Sequence, residues 1–284
     1  MEEPRKYATA TAFRRALEDR LRLISDTERL PIEQLRRKTA FDRLLARLFS
    51  REDVPWILKG GYALELRVKE ARTTKDIDIA WRATLDKGDL PHEAILAALE
   101  KAAAVDLADF FDYRIGGIMK HLDAAPYGGA RFPVKARMDA RTFTEFHIDI
   151  GTGDVVMTPL DTTEGRDWLK FAGIPPAEFL TISREQHFAE KVHSYTLPRP
   201  STNTRVRDMV DMVLLITSSP KMDPVFAKRA IDATFERRKT HTMPDGIQPP
   251  AEWKQPYAAL ARQCGLPDDL DEACRLLGNF LKSL

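Results

Sequence analysis

The stretch between Pro55 and Trp81 constrains this chain most, because it combines a glycine pair, a predicted helix and an aspartate-rich strand. A short apolar run at positions 56–58 leads into Lys59-Gly60-Gly61, and the predicted helix follows. Glycine leaves the backbone free to approach an anion closely, as it does in loops that bind phosphate. This glycine turn is therefore a candidate phosphate-binding segment.

The segment Asp76-Ile77-Asp78-Ile79 closes the same stretch and predicts a strand. Side chains alternate between the two faces of a strand, so both aspartates lie on one face and both isoleucines point into a core. Neighbouring carboxylates repel each other unless a positive group lies between them, and a divalent metal is the usual candidate. A glycine pair alone is typical of a turn, and an Asp-x-Asp pair alone of an exposed strand. Their combination favours a metal–nucleotide site.

The composition sets limits on the class of protein. The 284 residues suffice for one large domain or two ordinary ones, and 43% hydrophobic with 31% charged residues describes a globular protein. A net charge of +1 provides no global attraction for nucleic acid, so any polyanion must bind a local patch. Cys264 and Cys274 form no metal-binding spacing and predict free thiols. Without a signal-peptide pattern or a long apolar run, we expect a cytoplasmic protein.

The pattern of elements predicts an α+β fold with two domains. Residues 1–180 are expected to form a mixed β-sheet flanked by helices, and residues 181–284 a helical domain that completes the active-site cleft. Pro133 favours an edge position for its strand. The predicted helices cover 8–24, 31–49, 91–105, 183–195, 206–216, 222–239 and 251–284, and the predicted strands 76–81, 110–115, 130–138 and 143–150.

A third carboxylate follows on the predicted strand at 143–150. Phe146, Ile148 and Ile150 alternate there with polar residues that include His147 and Asp149. Two-metal phosphoryl transfer typically uses about three converging carboxylates, so Asp149 is a candidate metal ligand. The alternative is an exposed strand residue, and His147 is expected on the surface or beside the ligands.

The C-terminal helices contain a second polar set. Lys191 lies mid-helix after a capping-box pattern at Ser183 and Gln186, and Asp208 and Asp211 share one face of the next helix. A lysine ammonium can neutralise triphosphate charge, and Asp208 can orient it or act on an attacking hydroxyl. The alternative is an ordinary charged helix surface.

These motifs together resemble the AbiEii/AbiGii nucleotidyltransferase-like toxins, within the DNA polymerase β-like nucleotidyltransferase superfamily. The resemblance runs from Lys59 to Asp211 and rests on ILKGGYALELR, RTTKDIDIAW, AEKVHSY and RVRDMVDM. The order of the motifs is specific, whereas each motif alone is not. Asp208 follows Arg207 where the family more often has Lys-Asp, which leaves the choice between Asp208 and Asp211 open.

The resemblance implies transfer of a nucleoside monophosphate from an NTP to an acceptor, which in relatives is the 3′ end of tRNA. Mg²⁺ or Mn²⁺ is the implied cofactor, and an antitoxin the implied partner. The implied roles are metal ligands at Asp76, Asp78 and Asp149; nucleotide-binding residues at Lys59, Gly60, Gly61, Arg72, Thr74 and Lys191; and catalytic residues at Asp76, Asp78, Lys191, Asp208 and Asp211. Thr74 stands where related toxins carry a residue that an antitoxin kinase phosphorylates.

The acceptor and the activity stay open at this point. The same scaffold also suits transfer to a small-molecule or protein hydroxyl, or a binding module without catalysis. Arg67 and Arg72 are the arginines expected nearest the nucleotide. Basic residues that could contact an RNA acceptor are Arg131, Lys135, Arg137, Arg141, Arg237, Arg238 and Lys239.

Overall fold

A computed structural model describes residues 6–82, 92–122 and 125–284 and has the expected α+β fold. The α-helices of these residues are α1 Ala10–Glu28, α2 Ile32–Leu48, α3 Gly60–Arg67, α4 His92–Ala103, α5 Arg184–Thr196, α6 Val206–Thr217, α7 Pro224–Arg238, α8 Lys254–Gln263 and α9 Leu270–Lys282. The strands are β1 Trp56–Lys59, β2 Asp76–Trp81, β3 Asp112–Ile115, β4 Lys120–His121, β5 Gly129–Met138, β6 Arg141–Thr152, β7 Asp161–Glu164 and β8 Glu178–Thr181. Pro91, predicted to open the fourth helix, lies outside the described residues.

The eight strands form one mixed sheet in the order β3-β5-β6-β2-β1-β8-β7, with β4 paired to β5. Strands β2 and β6 run parallel, whereas β5 is antiparallel to β6, to β3 and to β4. The long β5–β6 hairpin therefore lies beside β2, and its register decides which polar side chains lie next to the two aspartates of β2.

The apolar residues of the central strands alternate as predicted. Ile77 and Ile79 of β2 are fully buried, and so are Ile148 and Ile150 of β6. Phe41 of α2 contacts the Phe146 ring at a centroid distance of 4.7 Å, which places α2 against this apolar face. Since the period of side chains along a strand is two, the polar residues between them occupy the opposite face.

A buried ion pair ties α2 to the segment before β3. Asp109 is fully enclosed, and its Oδ1 lies 2.5 Å from a terminal nitrogen of Arg47, while its Oδ2 accepts from Arg43 at 2.6 Å. Burial alone would raise the pKa of Asp109, but the two guanidinium groups outweigh burial and lower it. A buried charge needs such partners, so removal of either arginine would leave an uncompensated carboxylate.

Helices α3 and α5 to α9 share a second hydrophobic core. Its buried members include Leu64 of α3, Phe188 and Val192 of α5, and Met209 and Val213 of α6. Ser183 caps α5 by accepting a hydrogen bond from the Gln186 backbone N–H, as its sequence pattern predicts. The Gln186 side chain does not return this bond, because it contacts the backbone of Val155 and of Met157 instead.

The chain divides into two compact units that alternate along the sequence. The first comprises residues 1–58, 75–153 and 162–180, and the second residues 59–74, 154–161 and 181–284. The first contains nearly all of the sheet with α1, α2 and α4, and the second contains α3 and α5 to α9. The domain boundary near residue 180 stays a prediction.

Two details of the secondary structure differ from the sequence prediction. The edge position for Pro133 is wrong, because β5 lies between β3 and β6. The Pro133 carbonyl accepts a hydrogen bond from the Gly116 N–H at 2.9 Å. The Pro133 nitrogen lies on the same side, between the ends of β3 and β4, so the N–H that proline lacks is not required for a strand hydrogen bond there. The strands β1, β4, β7 and β8 were not predicted, since each spans only two to four residues.

Candidate active site

Two aspartates of β2 lie on the polar face of the sheet, where β6 adds a third carboxylate. In the parallel register, Asp76 is level with His147 and Asp78 with Asp149. Each of the three carboxylates is only partly buried, in contrast to the isoleucines between them. The alternation predicted from the sequence thus brings Asp76, Asp78 and Asp149 to one place on adjacent strands.

Arg131 of β5 contacts two of these carboxylates, Asp149 and Asp76. It is directly opposite Asp149 in the antiparallel register, and its Nε and terminal nitrogen donate to the two Asp149 oxygens at 2.7 and 2.8 Å. The same terminal nitrogen lies 3.3 Å from Asp76 Oδ2, and His147 Nδ1 lies 3.3 Å from Asp76 Oδ1. The bond to Asp149, followed by the charges of Asp149, Asp76 and Asp78, raises the pKa of Arg131 further.

The donor set on this face suits a hard divalent cation. Mg²⁺ in nucleotide enzymes is commonly bound by one or two carboxylates and completed by substrate phosphates and water, which Asp76 and Asp78 can provide. Within residues 6–82, 92–122 and 125–284, no three His, Cys, Asp or Glu side chains are grouped to hold an ion without such help. Asp149 contributes both oxygens to Arg131, so its role as a metal ligand stays a prediction.

The glycine turn forms the start of α3. Gly60 has a φ of 65°, a conformation that glycine adopts without the strain of a side chain. A Cβ at Gly61 would lie 2.9 Å from Thr74 Oγ1, so the missing side chain lets Thr74 lie against the first turn. The Thr74 N–H donates to Glu65 of the same helix at 3.2 Å. Thr74 is therefore held at the helix start by packing and by its backbone.

Lys59, predicted to bind nucleotide, lies within an ion cluster. Its ammonium contacts Asp154 at 2.5 Å and Glu190 at 3.1 Å, and Arg238 binds the other Asp154 oxygen at 2.8 Å. Burial alone would lower the pKa of Lys59, but the two carboxylates outweigh burial and raise it. Asp154 and Glu190 thus hold Lys59 directly before α3, and they neutralise its charge without a phosphate.

Lys191 of α5 lies between the two aspartates of α6. Its ammonium contacts Asp208 at 2.9 Å and Asp211 at 2.8 Å. Burial would lower the pKa of Lys191, but Asp211 and Asp208 raise it. Asp211 is fully buried and also accepts two hydrogen bonds from Arg72, at 2.9 and 2.7 Å. The predicted association of the motif lysine with the later acidic pair is present within the helical unit.

The two aspartates differ in what a substrate can reach. Asp211 is buried, and its carboxylate forms ion pairs with Lys191 and Arg72, so it holds these two cations in place. Asp208 keeps a small exposed fraction, and its second oxygen has only a 3.5 Å contact with Arg205. Arg72, which was predicted to bind nucleotide, accordingly forms an ion pair with Asp211 in this structure. Arg67 is similarly engaged, with contacts to Thr181, Ile182 and Asp161.

The predicted basic patches contain both exposed and buried residues. Lys135 is about half exposed and pairs with Glu145 at 2.9 Å, whereas Arg137 pairs with Asp112 at 3.4 Å. Arg238 is largely buried in the Lys59 cluster, so it is the member of the C-terminal patch least available to an RNA. The position of Arg131 among the carboxylates was not anticipated, since it depends on the β5–β6 register.

Comparisons with known proteins give a family match and a structural match. The profile of the family described as nucleotidyl transferase AbiEii toxin, type IV toxin–antitoxin system, matches residues 43–277. The structure is similar to MenT4, a nucleotidyltransferase toxin from Mycobacterium tuberculosis, with a TM-score of 0.60 and 14% identity over 93% of this chain and 90% of that one. At this identity the likeness shows the fold alone.

A second structural match is JHP933 from Helicobacter pylori, with a TM-score of 0.46 and 15% identity over 88% of this chain and 90% of that one. No curated protein matches the sequence significantly. Among the helices of the described residues, none has the length and apolar character needed to cross a bilayer.

Proposed function

The chain belongs to the AbiEii nucleotidyl transferase toxin family of type IV toxin–antitoxin systems, and from this premise we propose that it transfers a nucleoside monophosphate from an NTP to RNA. The acceptor we assign is the 3′ end of tRNA, in the cytoplasm, and its modification blocks translation. The family also implies an antitoxin partner.

The observation that carries the proposal is the parallel register of β2 and β6. It supports a site at which Asp76 and Asp78 hold Mg²⁺ or Mn²⁺ together with the NTP phosphates. The ion, when bound, supplies positive charge to the phosphates and polarises the α-phosphoryl group. Carboxylates on neighbouring strands are fixed by the sheet, so the protein does not need to reorganise them when substrate binds.

We assign to Lys191 the role of neutralising the negative charge of the triphosphate. A lysine ammonium has three N–H donors, and its contacts with Asp208 and Asp211 use two of them. The remaining donor can serve a phosphate oxygen. Asp211 keeps the lysine charged and oriented, because it is buried against the ammonium and against Arg72.

The reaction is an in-line substitution at the α-phosphorus. The acceptor hydroxyl oxygen forms a bond to this phosphorus, the bond to the β-phosphate oxygen breaks, and pyrophosphate leaves with the bonding electrons. Asp208 is our candidate acceptor for the hydroxyl proton, since both oxygens of Asp149 already accept hydrogen bonds from Arg131. Backbone N–H groups at Gly60 and Gly61 are the candidate donors to phosphate.

The antitoxin has a defined target in this proposal. Thr74 lies two residues before Asp76 in the sequence and packs against Gly61 at the start of α3. A phosphate on its hydroxyl adds about two negative charges at neutral pH. We infer that such a group, placed next to the glycine turn, excludes the phosphates of the nucleotide.

The first test uses the purified protein with each labelled NTP and, separately, total tRNA or protein extract. We expect label on the tRNA 3′ end, and we expect Asp78→Asn to lower the rate by about 10³-fold, since metal–phosphate interactions supply several kcal/mol. The matched control is Asp112→Asn, which removes an exposed aspartate from β3 of the same sheet. It should retain full activity.

The possible results separate the candidate activities. Label on protein or a small molecule alone would overturn the tRNA assignment while leaving nucleotide transfer intact. Binding of NTP with no release of pyrophosphate on any acceptor would indicate a module without catalysis. Full transfer by Asp78→Asn would refute the role of the strand carboxylates. Expression of both proteins in a bacterium, followed by sequencing of tRNA 3′ ends, carries the test into cells.

A further inference from the structure

We propose that Arg131 acts as a built-in cation in place of a second metal ion, so that the strand carboxylates bind one divalent ion rather than two. The inference rests on the proposed nucleotidyl transfer and deepens it. It identifies Arg131 as a positioning residue, because its guanidinium acts through the carboxylates and not on the reacting phosphorus.

The position of Arg131 follows from the sheet register. Strand β5 places Arg131 directly opposite Asp149, and β6 places Asp149 level with Asp78 of β2. The side chains thus form a row across three adjacent strands on the polar face. The hairpin register fixes the backbone position of Arg131 in this row, and the buried Phe132 and Ile148 hold that register from the opposite face.

The contacts of Arg131 use the oxygens that a second ion would need. Two guanidinium nitrogens bind both Asp149 oxygens, at 2.7 and 2.8 Å, and one of them also lies 3.3 Å from Asp76 Oδ2. The parallel pair of bonds matches the planar shapes of guanidinium and carboxylate, which makes it stronger than a single ion pair. The Asp149 side chain is 13% exposed and the Arg131 side chain 30%, so the pair is partly shielded from solvent.

The balance of charge at these carboxylates also predicts one divalent ion rather than two. The three carboxylates carry three negative charges, and Arg131 neutralises one of them permanently, since an arginine does not deprotonate in proteins. One divalent ion then balances the remaining two. A second divalent ion would have to displace the guanidinium from Asp149 and would leave it beside two metal ions, which Coulomb repulsion opposes.

The test counts bound Mn²⁺ by equilibrium dialysis with the same concentration of a non-hydrolysable NTP analogue on both sides, because nucleotide phosphates complete the ion site. We expect one ion on the wild-type protein and two on Arg131→Met, since the variant frees Asp149. The double variant Arg131→Met/Asp149→Asn should return to one ion. The control Arg114→Met should also bind one, because it removes an exposed arginine that pairs with Asp112 on β3.

A second readout is the dependence of the transfer rate on Mn²⁺ concentration. It should be first order for the wild type and approach second order for Arg131→Met. One ion on Arg131→Met, or two on the wild type, would overturn the proposal, and so would the absence of bound Mn²⁺ from the wild type. If circular dichroism shows that Arg131→Met is unfolded, Arg131→Gln replaces it, with the same expected counts.

Failure of the proposed nucleotide transfer and failure of the Arg131 inference give different results. A protein that transfers no nucleotide to any acceptor can still change from one bound ion to two on loss of Arg131. Conversely, a protein that labels tRNA while both Arg131 variants bind one ion would keep its function and lose this inference.

Discussion

The absence of a side chain at Gly61 allows Thr74 to lie against the first turn of α3. A methyl group there would approach Thr74 Oγ1 to 2.9 Å and Thr74 Cβ to 3.0 Å. Overpacking of this kind costs about 1–3 kcal/mol, while Ala in a helix is favoured over Gly by about 1 kcal/mol. We therefore expect Gly61→Ala to destabilise the protein by up to about 2 kcal/mol in urea unfolding.

The matched control for this substitution is Gly278→Ala in α9. Its added methyl group meets no atom within 4 Å, so helix propensity alone should act, and stability should rise by up to about 1 kcal/mol. Equal stability changes for the two variants would mean that the contact between Gly61 and Thr74 does not constrain the first turn of α3.

At the scale of elements, the α5–α6 pair is held by a buried charge cluster. Burial would raise the pKa of Asp211, but Lys191 and Arg72 outweigh burial and lower it below the unfolded value of about 3.9. An aspartate with a lowered pKa contributes stability above its unfolded pKa and loses that contribution as pH falls through its folded pKa. The cluster should therefore weaken below about pH 4.

The prediction is that Asp211→Asn lowers the free energy of unfolding at neutral pH by about 3–5 kcal/mol, because it leaves two buried cations short of a partner. The variant should also lose less stability than the wild type between about pH 5 and pH 2. Denaturant unfolding at several pH values measures both. The control Asp232→Asn removes a half-exposed partner of Lys228 and should change stability by under about 0.5 kcal/mol.

The elements also show which features the sequence was able to predict. Alternation predicted that Asp76 and Asp78 share one face of β2 and that Asp149 lies on the polar face of β6, since a period of two is a local property of the strand. The bond between Arg131 and Asp149 could not be predicted, because it depends on how two residues 18 positions apart align across paired strands. The partners of Lys59 were missed for the same reason, as Asp154 lies 95 residues away.

For the whole molecule, the two compact units are built from alternating segments of the chain. Segment 59–74 belongs to the second unit, together with residues 154–161 and 181–284. Its Leu64 and Val68 are buried in the core formed with Phe188, Val192 and Met209. A fragment of residues 1–180 would keep α3 and lose that core, so these two side chains would be exposed to water. Burial of each such side chain is worth about 1.5–3 kcal/mol.

We expect neither the 1–180 fragment nor the 181–284 fragment to fold alone. The first should bind a hydrophobic dye and aggregate, and the second should lack cooperative unfolding, because α3 supplies part of its core. Expression of both fragments in one cell should restore a soluble complex, since the segments of each unit are then present together. Circular dichroism melts and dispersion of amide proton signals distinguish the cases. A 1–180 fragment that unfolds cooperatively would instead establish it as an independent domain, and the association of α3 with the helical core would then contribute little to stability.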